Sequence, residues 1–171
     1  VNGLDAESSS EVILGMPGDT KEKHFDTVLK LVDADMRFVL QYTLMILEGT
    51  ELATQESRDR WQYESKFRVV PRCFGMYHYG DKEIISAEVE EVGVASPTMT
   101  FDDYIESRCF ALTVGLFYGD GVLHELYSFL RQFGIKASEV LMLIHENRAN
   151  HSDRLNDLYA SFESGTKGEL F

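Results

Sequence analysis

Ten residues close to the start, EVILGMPGDT from Glu11 to Thr20, combine residue types that could hold a ligand. An apolar run, Val12, Ile13 and Leu14, stops at Gly15, turns through Pro17 and Gly18, and leads into Asp19 and Thr20. A residue before proline is steered out of helical geometry, which keeps Met16 extended. Glycine takes positive φ without steric cost, so Gly18 suits a tight turn. Asp19 to Glu22 has the form of a capping box, an acceptor with a glutamate three residues later. Buried strand, short loop and helix start follow one another. In parallel α/β sheets, ligands sit at such loops, beyond the carboxyl ends of the strands. A bare strand-to-helix turn would use the same residues with no ligand. An anion on the helix N-terminus is a third option, but the loop lacks the lysine and second glycine of a P-loop.

Other chemistry-bearing residues are weaker signals. Glu48 ends an apolar run and could bind a ribose or an amine, or simply favour the dipole of the next helix. Arg72 and Cys73 could line the same mouth, with Cys73 more suited to packing than to reaction. His145 and His151 do not share a helical face and no HExxH occurs, so the five histidines read as solvated. Glu88, Glu90 and Glu91 read as a solvated acidic face, and Tyr42, Phe74, Met76 and Tyr77 as core or barrel lining.

The elements that must position these residues are legible in outline. Phe25, Val28, Leu29 and Val32 recur at helical spacing opposite Lys21, Lys23, Asp26, Lys30 and Asp33. Phe38 to Leu47 is too apolar for a half-exposed strand and predicts one covered on both faces, as in parallel sheets. Strand, helix and strand form a βαβ unit. Glu51 to Tyr63 predicts a polar helix. Phe67 to Val70 predicts a third strand closed by Pro71, and Val89 to Ala95 a fourth, after a turn at Gly80-Asp81-Lys82. Thr100 with Asp103 is another capping box, heading a stripe of Tyr104, Ile105, Cys109, Leu112 and Leu116. Gly119-Asp120-Gly121 breaks that helix. Helices then follow over Leu123 to Leu130, ended by Gly134, over Val140 to Glu146 and over Leu155 to Phe162, with Gly165 to Phe171 frayed. The fold class is α/β, with strand-helix units over 1–96 and an all-helical extension over 97–171.

Bulk properties bound the function. With 44% hydrophobic and 26% charged residues, the chain suits one globular domain with a real core. A formal charge of −13 argues against nucleic acid as a partner, because phosphate binding needs clustered Lys and Arg. The longest apolar run is too short to cross a bilayer, so no membrane role is expected. The opening VNGLDAESSS lacks the basic and apolar regions of a signal peptide. Cys73 and Cys109 have no pairing logic and fit a reducing cytoplasm. Three or four parallel strands would leave unpaired edges, and barely a linker precedes the first. The chain is therefore expected to be a piece of a longer protein.

The quoted segments resemble a known family. EVILGMPGDT (Glu11 to Thr20) is similar to the segment near the fifth barrel strand of radical S-adenosylmethionine (radical SAM) enzymes, an apolar strand followed by G-[LFM]-P-G-[EDQ]-T. FVLQYTLMILEGTELA (Phe38 to Ala53) resembles their next strand, which often ends in a "pGT" turn, and the spacing between the two matches. AEVEEVGVASPTMTFDDY (Ala87 to Tyr104) resembles the region after the barrel in members that carry an N-terminal cobalamin-binding domain. The likeness covers most of residues 10 to 135. It implies the later strands of a TIM-like (β/α) barrel, S-adenosylmethionine lying across their carboxyl ends, and a small-molecule substrate. Residues matching Ile13, Gly15, Met16 and Pro17 pass close to the adenine in such enzymes, and those matching Thr43 and Leu44 lie near the same edge. It further implies a 4Fe-4S cluster, whose CxxxCxxC ligands are not in this chain, and cobalamin through an absent domain. Cluster and motif would belong to a missing N-terminal half of the same protein, leaving this chain inert alone. The competing expectation is a stand-alone binding or interaction module, with the helices from Thr100 onward as its working part.

Overall fold

A computed structural model describes residues 8–171; the opening stretch VNGLDAE, read above as no signal peptide, lies outside the described residues. Strand β1 (Ser9–Leu14) is followed by helix α1 (Lys21–Asp33) and strand β2 (Phe38–Thr43). The two strands pair parallel, from Ser9 opposite Phe38 to Leu14 opposite Thr43, as the βαβ reading expects. The strand proper ends at Thr43, short of Leu47, but the backbone beyond it keeps pairing. Helix α2 (Gln55–Trp61), after a 3-10 turn at Glu51–Ala53, closes on Gln62 with φ 48°.

The next two strands depart from expectation. β3 (Glu64–Tyr79) and β4 (Lys82–Ala95) form one long antiparallel hairpin, not two parallel strands. Tyr79 pairs with Lys82 across Gly80-Asp81, with Gly80 at φ 61°. A parallel return needs a crossover of about a dozen residues or more, and two loop residues leave none. Pro71 does not close β3 either. The register jumps from Val69↔Val89 to Phe74↔Ala87, and Pro71 sits in that bulge beside Arg72 at φ 65°, where its missing N–H is tolerated.

Helices α3 (Phe101–Phe117), α4 (His124–Arg131), α5 (Ala137–Glu146) and α6 (Asp153–Gly168) complete a mixed α/β fold, with no closed barrel among the described residues. Among the described residues no helix is long and apolar enough to cross a membrane. The expected α1 stripe forms one core: Val28 and Val32 pack with Phe110, Val114, Tyr118, Tyr127 and Leu141, and Phe25 stacks on Phe110 at 4.0 Å. A second core joins Leu14, Val92, Val94, Tyr104, Ile105 and Leu170. Residues on both sides of position 96 share each core.

Helix α3 is buried on more than the predicted stripe. It contacts α1, α5, α6 and β4, so Phe110, Thr113 and Val114 are buried while Leu116 is exposed. The tail is not frayed. Thr166 and Leu170 are buried, and Phe171 exchanges two backbone hydrogen bonds of 2.9 Å with Phe67. The open edge of β3 and the second core hold it.

Among the described residues, one face of the parallel pair is left open. Strand alternation puts Val12, Leu14, Val39 and Thr43 toward the helices, and Ile13, Leu40 and Tyr42 on the other side, where Tyr42 is 49% exposed. Beyond the bulge the hairpin is an arm with Phe74, Met76, Tyr77 and Ile85 exposed. None of Tyr42, Phe74, Met76 and Tyr77 is therefore core. Phe110→Ala is expected to cost about 3–5 kcal/mol in urea unfolding of the chain, whereas Phe74→Ser on the arm should change stability by less than about 0.5 kcal/mol.

Candidate functional site

The loop after β1 is built by its backbone. Gly15 and Gly18 take φ 87° and 77°, and the Asp19 amide donates to the Met16 carbonyl at 2.9 Å. The cap of α1 is Thr20, one residue later than the box reading placed it: its Oγ1 accepts from the Lys23 amide at 3.2 Å, and Asp19 Oδ1 accepts from the Thr20 amide at 2.9 Å. The third helical residue is then Lys23, not Glu22, so no acid reciprocates. The Thr100–Asp103 box forms as expected, with both bonds present.

The carboxyl ends of β1 and β2 are pinned together and to β4. Leu14 carbonyl accepts from the Leu44 amide at 3.0 Å, and Leu44 carbonyl accepts from the Gly93 amide at 2.9 Å. A Cβ on Gly93 would lie 3.1 Å from Leu44 Cδ2, so glycine admits the close approach. Ile13 and Met16 remain open, at 45% and 41% exposure, and Gly15 and Pro17 are half-buried. Thr43 and Leu44 are buried, and the amide and carbonyl of Leu44 are already bonded to Leu14 and Gly93. Thr43 Oγ1 accepts from Arg68 Nη2 at 3.2 Å.

Arg68 gathers acids around that point. Its Nε donates to Glu90 and its Nη1 to Glu169 Oε1 at 3.0 Å. Burial works against the cation, but these acids more than offset it and hold the guanidinium above its ordinary pKa. Arg58 makes a two-pronged bond of 2.8 Å to each oxygen of Glu91. That guanidinium holds the Glu91 carboxyl below its ordinary range. Glu90 and Glu91 are thus paired struts, not a solvated face; Glu88 alone is exposed. Beside them an open cleft of about 500 Å³ is lined by Ile46, Leu47, Glu48, Phe67, Val89 and neighbours. Glu48 faces this cleft, whereas Arg72 and Cys73 sit in the bulge of the arm, beyond Phe67 and Val89.

Two histidines read as solvated are buried. His24 is 2% exposed, with Nε2 3.2 Å from Gln41 Oε1 and Nδ1 unpartnered. His145 lies between Thr113 Oγ1 at 3.0 Å and Glu106 Oε1 at 3.1 Å, and Thr113 meets the Tyr159 hydroxyl at 2.7 Å. Helical spacing carried the signal, since His24 stands four before Val28 and His145 four after Leu141. Among the described residues no group of three or more His, Cys, Asp or Glu could hold a metal ion, and Cys73 and Cys109 are free. No protein-family model matches the chain, and no curated protein matches it.

Burial pushes the His24 imidazole below its ordinary pKa, so the unfolded chain binds a proton there more readily than the folded one. Stability is expected to fall as pH drops below about 6.5, the ordinary imidazole value, and to level off below the folded-state pKa. Urea midpoints taken across pH 5 to 7.5 should show this slope in the wild type, and a shallower one in His24→Gln.

Proposed function

We propose that this chain supplies the later strands of a radical SAM barrel and carries the adenine side of its S-adenosylmethionine site. One observation carries the reading: a parallel strand pair with one bare apolar face, and a glycine-proline loop at its carboxyl end. Parallel sheets occur almost only with both faces covered, and among the described residues β1 has β2 as its one strand neighbour. A barrel would cover that face with its own interior and pair the free edge of β1 with a preceding strand. Ile13 and Met16 then offer apolar surface to a flat base, the Gly15-to-Pro17 backbone offers polar groups, and the Thr43-Leu44 backbone borders the same edge.

The fit extends to the adenine and stops there. Neither free cysteine has a second thiolate beside it among the described residues, and under this reading the ligands of the 4Fe-4S cluster would come from an upstream segment. When bound, cluster and S-adenosylmethionine supply reductive cleavage of the sulfonium. The residues of this chain bind and orient the nucleoside end and exclude water from it. The substrate is a small molecule held by barrel loops, cobalamin would sit on an upstream domain, and the reducing cytoplasm suits the free thiols. A net charge of −13 leaves nucleic acid outside this reading.

Titration of the chain with S-adenosylmethionine, followed by amide chemical shifts, is expected to move Gly15, Met16 and Leu44 with a dissociation constant of about 1 mM or weaker. Adding the upstream half, encoded with its CxxxCxxC segment, should tighten it. Tight stoichiometric binding by the chain alone would contradict a divided site, and no response at these amides would end the cofactor reading.

A further inference from the structure

We propose that the helical extension positions both ends of the cofactor edge, with Thr98 and Arg68 as the positioning residues. The role applies to a cofactor only if the ends of β1 and β2 bind S-adenosylmethionine as read above. On the β1 side, Thr98 Oγ1 donates to the Asp19 carbonyl at 2.6 Å, joining points 79 residues apart in sequence. Lys21 and Asp103 pair at 3.0 Å next to it, and Asp103 is the same residue that closes the α3 capping box. The start of α3 and the loop before α1 therefore share one set of bonds.

The loop has little else to hold it. A Cβ on Gly18 would meet nothing within 4 Å. The other bonds of the turn are local, from the Asp19 amide to the Met16 carbonyl, from the Thr20 amide to Asp19 Oδ1 and from Lys23 Nζ to the Gly18 carbonyl. Local bonds fix the shape of a turn; they do not fix where it points. The bond from Thr98 and the Lys21–Asp103 pair do that: Asp103 stands on α3, a helix packed into the two cores, and Thr98 lies in the turn two residues before its Thr100 cap.

On the β2 side the extension arrives by another route. Glu169, just past α6, pairs with Arg68, and Arg68 donates onward to Thr43. Neither Thr98 nor Arg68 bonds to the exposed shelf of Ile13 and Met16; Thr98 acts through the Asp19 carbonyl and Arg68 through the Thr43 hydroxyl. Loosening either anchor is expected to widen the distribution of loop positions and weaken ligand binding without unfolding the protein.

The test uses the full chain with Thr98→Val, Thr98→Ser and Arg68→Met, read by amide hydrogen exchange and by titration with S-adenosylmethionine. Thr98 is exposed, so the valine variant should fold and melt like the wild type. Losing one hydrogen bond, worth about 1 kcal/mol, should speed exchange at the Asp19 amide, which is bonded within the turn, about fivefold and weaken S-adenosylmethionine by a similar factor. Thr98→Ser should restore both, and Arg68→Met should loosen Thr43 and Leu44 while sparing the first loop. Unchanged exchange in Thr98→Val overturns the clamp. Faster exchange with unchanged S-adenosylmethionine affinity overturns the positioning role. A wild-type chain that ignores S-adenosylmethionine, yet loosens in Thr98→Val, overturns the cofactor reading and its positioning while leaving the mechanical link standing.

Discussion

Backbone hydrogen bonds running from Leu14 to Leu44 to Gly93 set the geometry of everything near the candidate site. They join a parallel strand pair to an antiparallel hairpin, two ladders of different spacing and slant. The junction tolerates the mismatch because Gly93 has no side chain where Leu44 crosses it. A Cβ there would lie 3.1 Å from Leu44 Cδ2 and crowd that side chain, and the Leu44 amide is the Leu14 carbonyl's partner. Through these bonds the two strand ends are held together, and the loop that begins at Gly15 has a fixed origin.

Helix α3 makes that junction rigid from behind. It is packed by α1, α5, α6 and β4, and its buried residues belong to both cores. A helix buried on most sides carries little amphipathic signal, which is why spacing alone picked out Leu112 and Leu116 and passed over Phe110 and Thr113. Thr113 needs an interior partner once buried. It finds two, His145 and Tyr159, so a polar chain crosses the helical layer where an apolar stripe was expected. The Glu106 carboxyl at the far end of that chain is held below its ordinary pKa by the His145 hydrogen bond and the nearby Arg148.

Legibility followed the range of the interaction. The loop glycines, the α1 stripe and the Thr100 cap are local, and each could be read from spacing and residue type. The parallel pairing of β1 with β2 was accessible because a helix-length crossover separates them. The long hairpin was not read, since Pro71 looks like a strand end unless the bulge that accommodates it is known. A tail such as Gly165 to Phe171 reads as frayed because nothing in it announces that the edge of β3 lies open opposite. His24 and His145 were misread for a different reason. A titratable side chain on an apolar stripe has two local readings, and only packing chooses between them. For the site residues, sequence gave position along the strand, whereas the split between exposed Ile13 and Met16 and buried Thr43 and Leu44 came from the sheet's single covered face.

The acidic balance of the chain takes on a second meaning in this arrangement. Arg58, Arg68, Arg131 and Arg148 each pair with an acid on another element: Glu91, Glu90 with Glu169, Asp35 and Glu106. Such pairs add little net stability when part-buried, because desolvation offsets the attraction. Their effect is on register. Arg68 stands directly opposite Glu90 in the hairpin, and a slip of one residue would set it against Val89 or Glu91, the latter already held by Arg58. It would also turn every side chain of the slipped strand to the wrong face. With the register fixed, the Arg68 guanidinium can reach Thr43 and Glu169 together. The cross-strand pair matches the register of the hairpin, and Arg68 ties the hairpin to the end of β2 and to Glu169, just past α6.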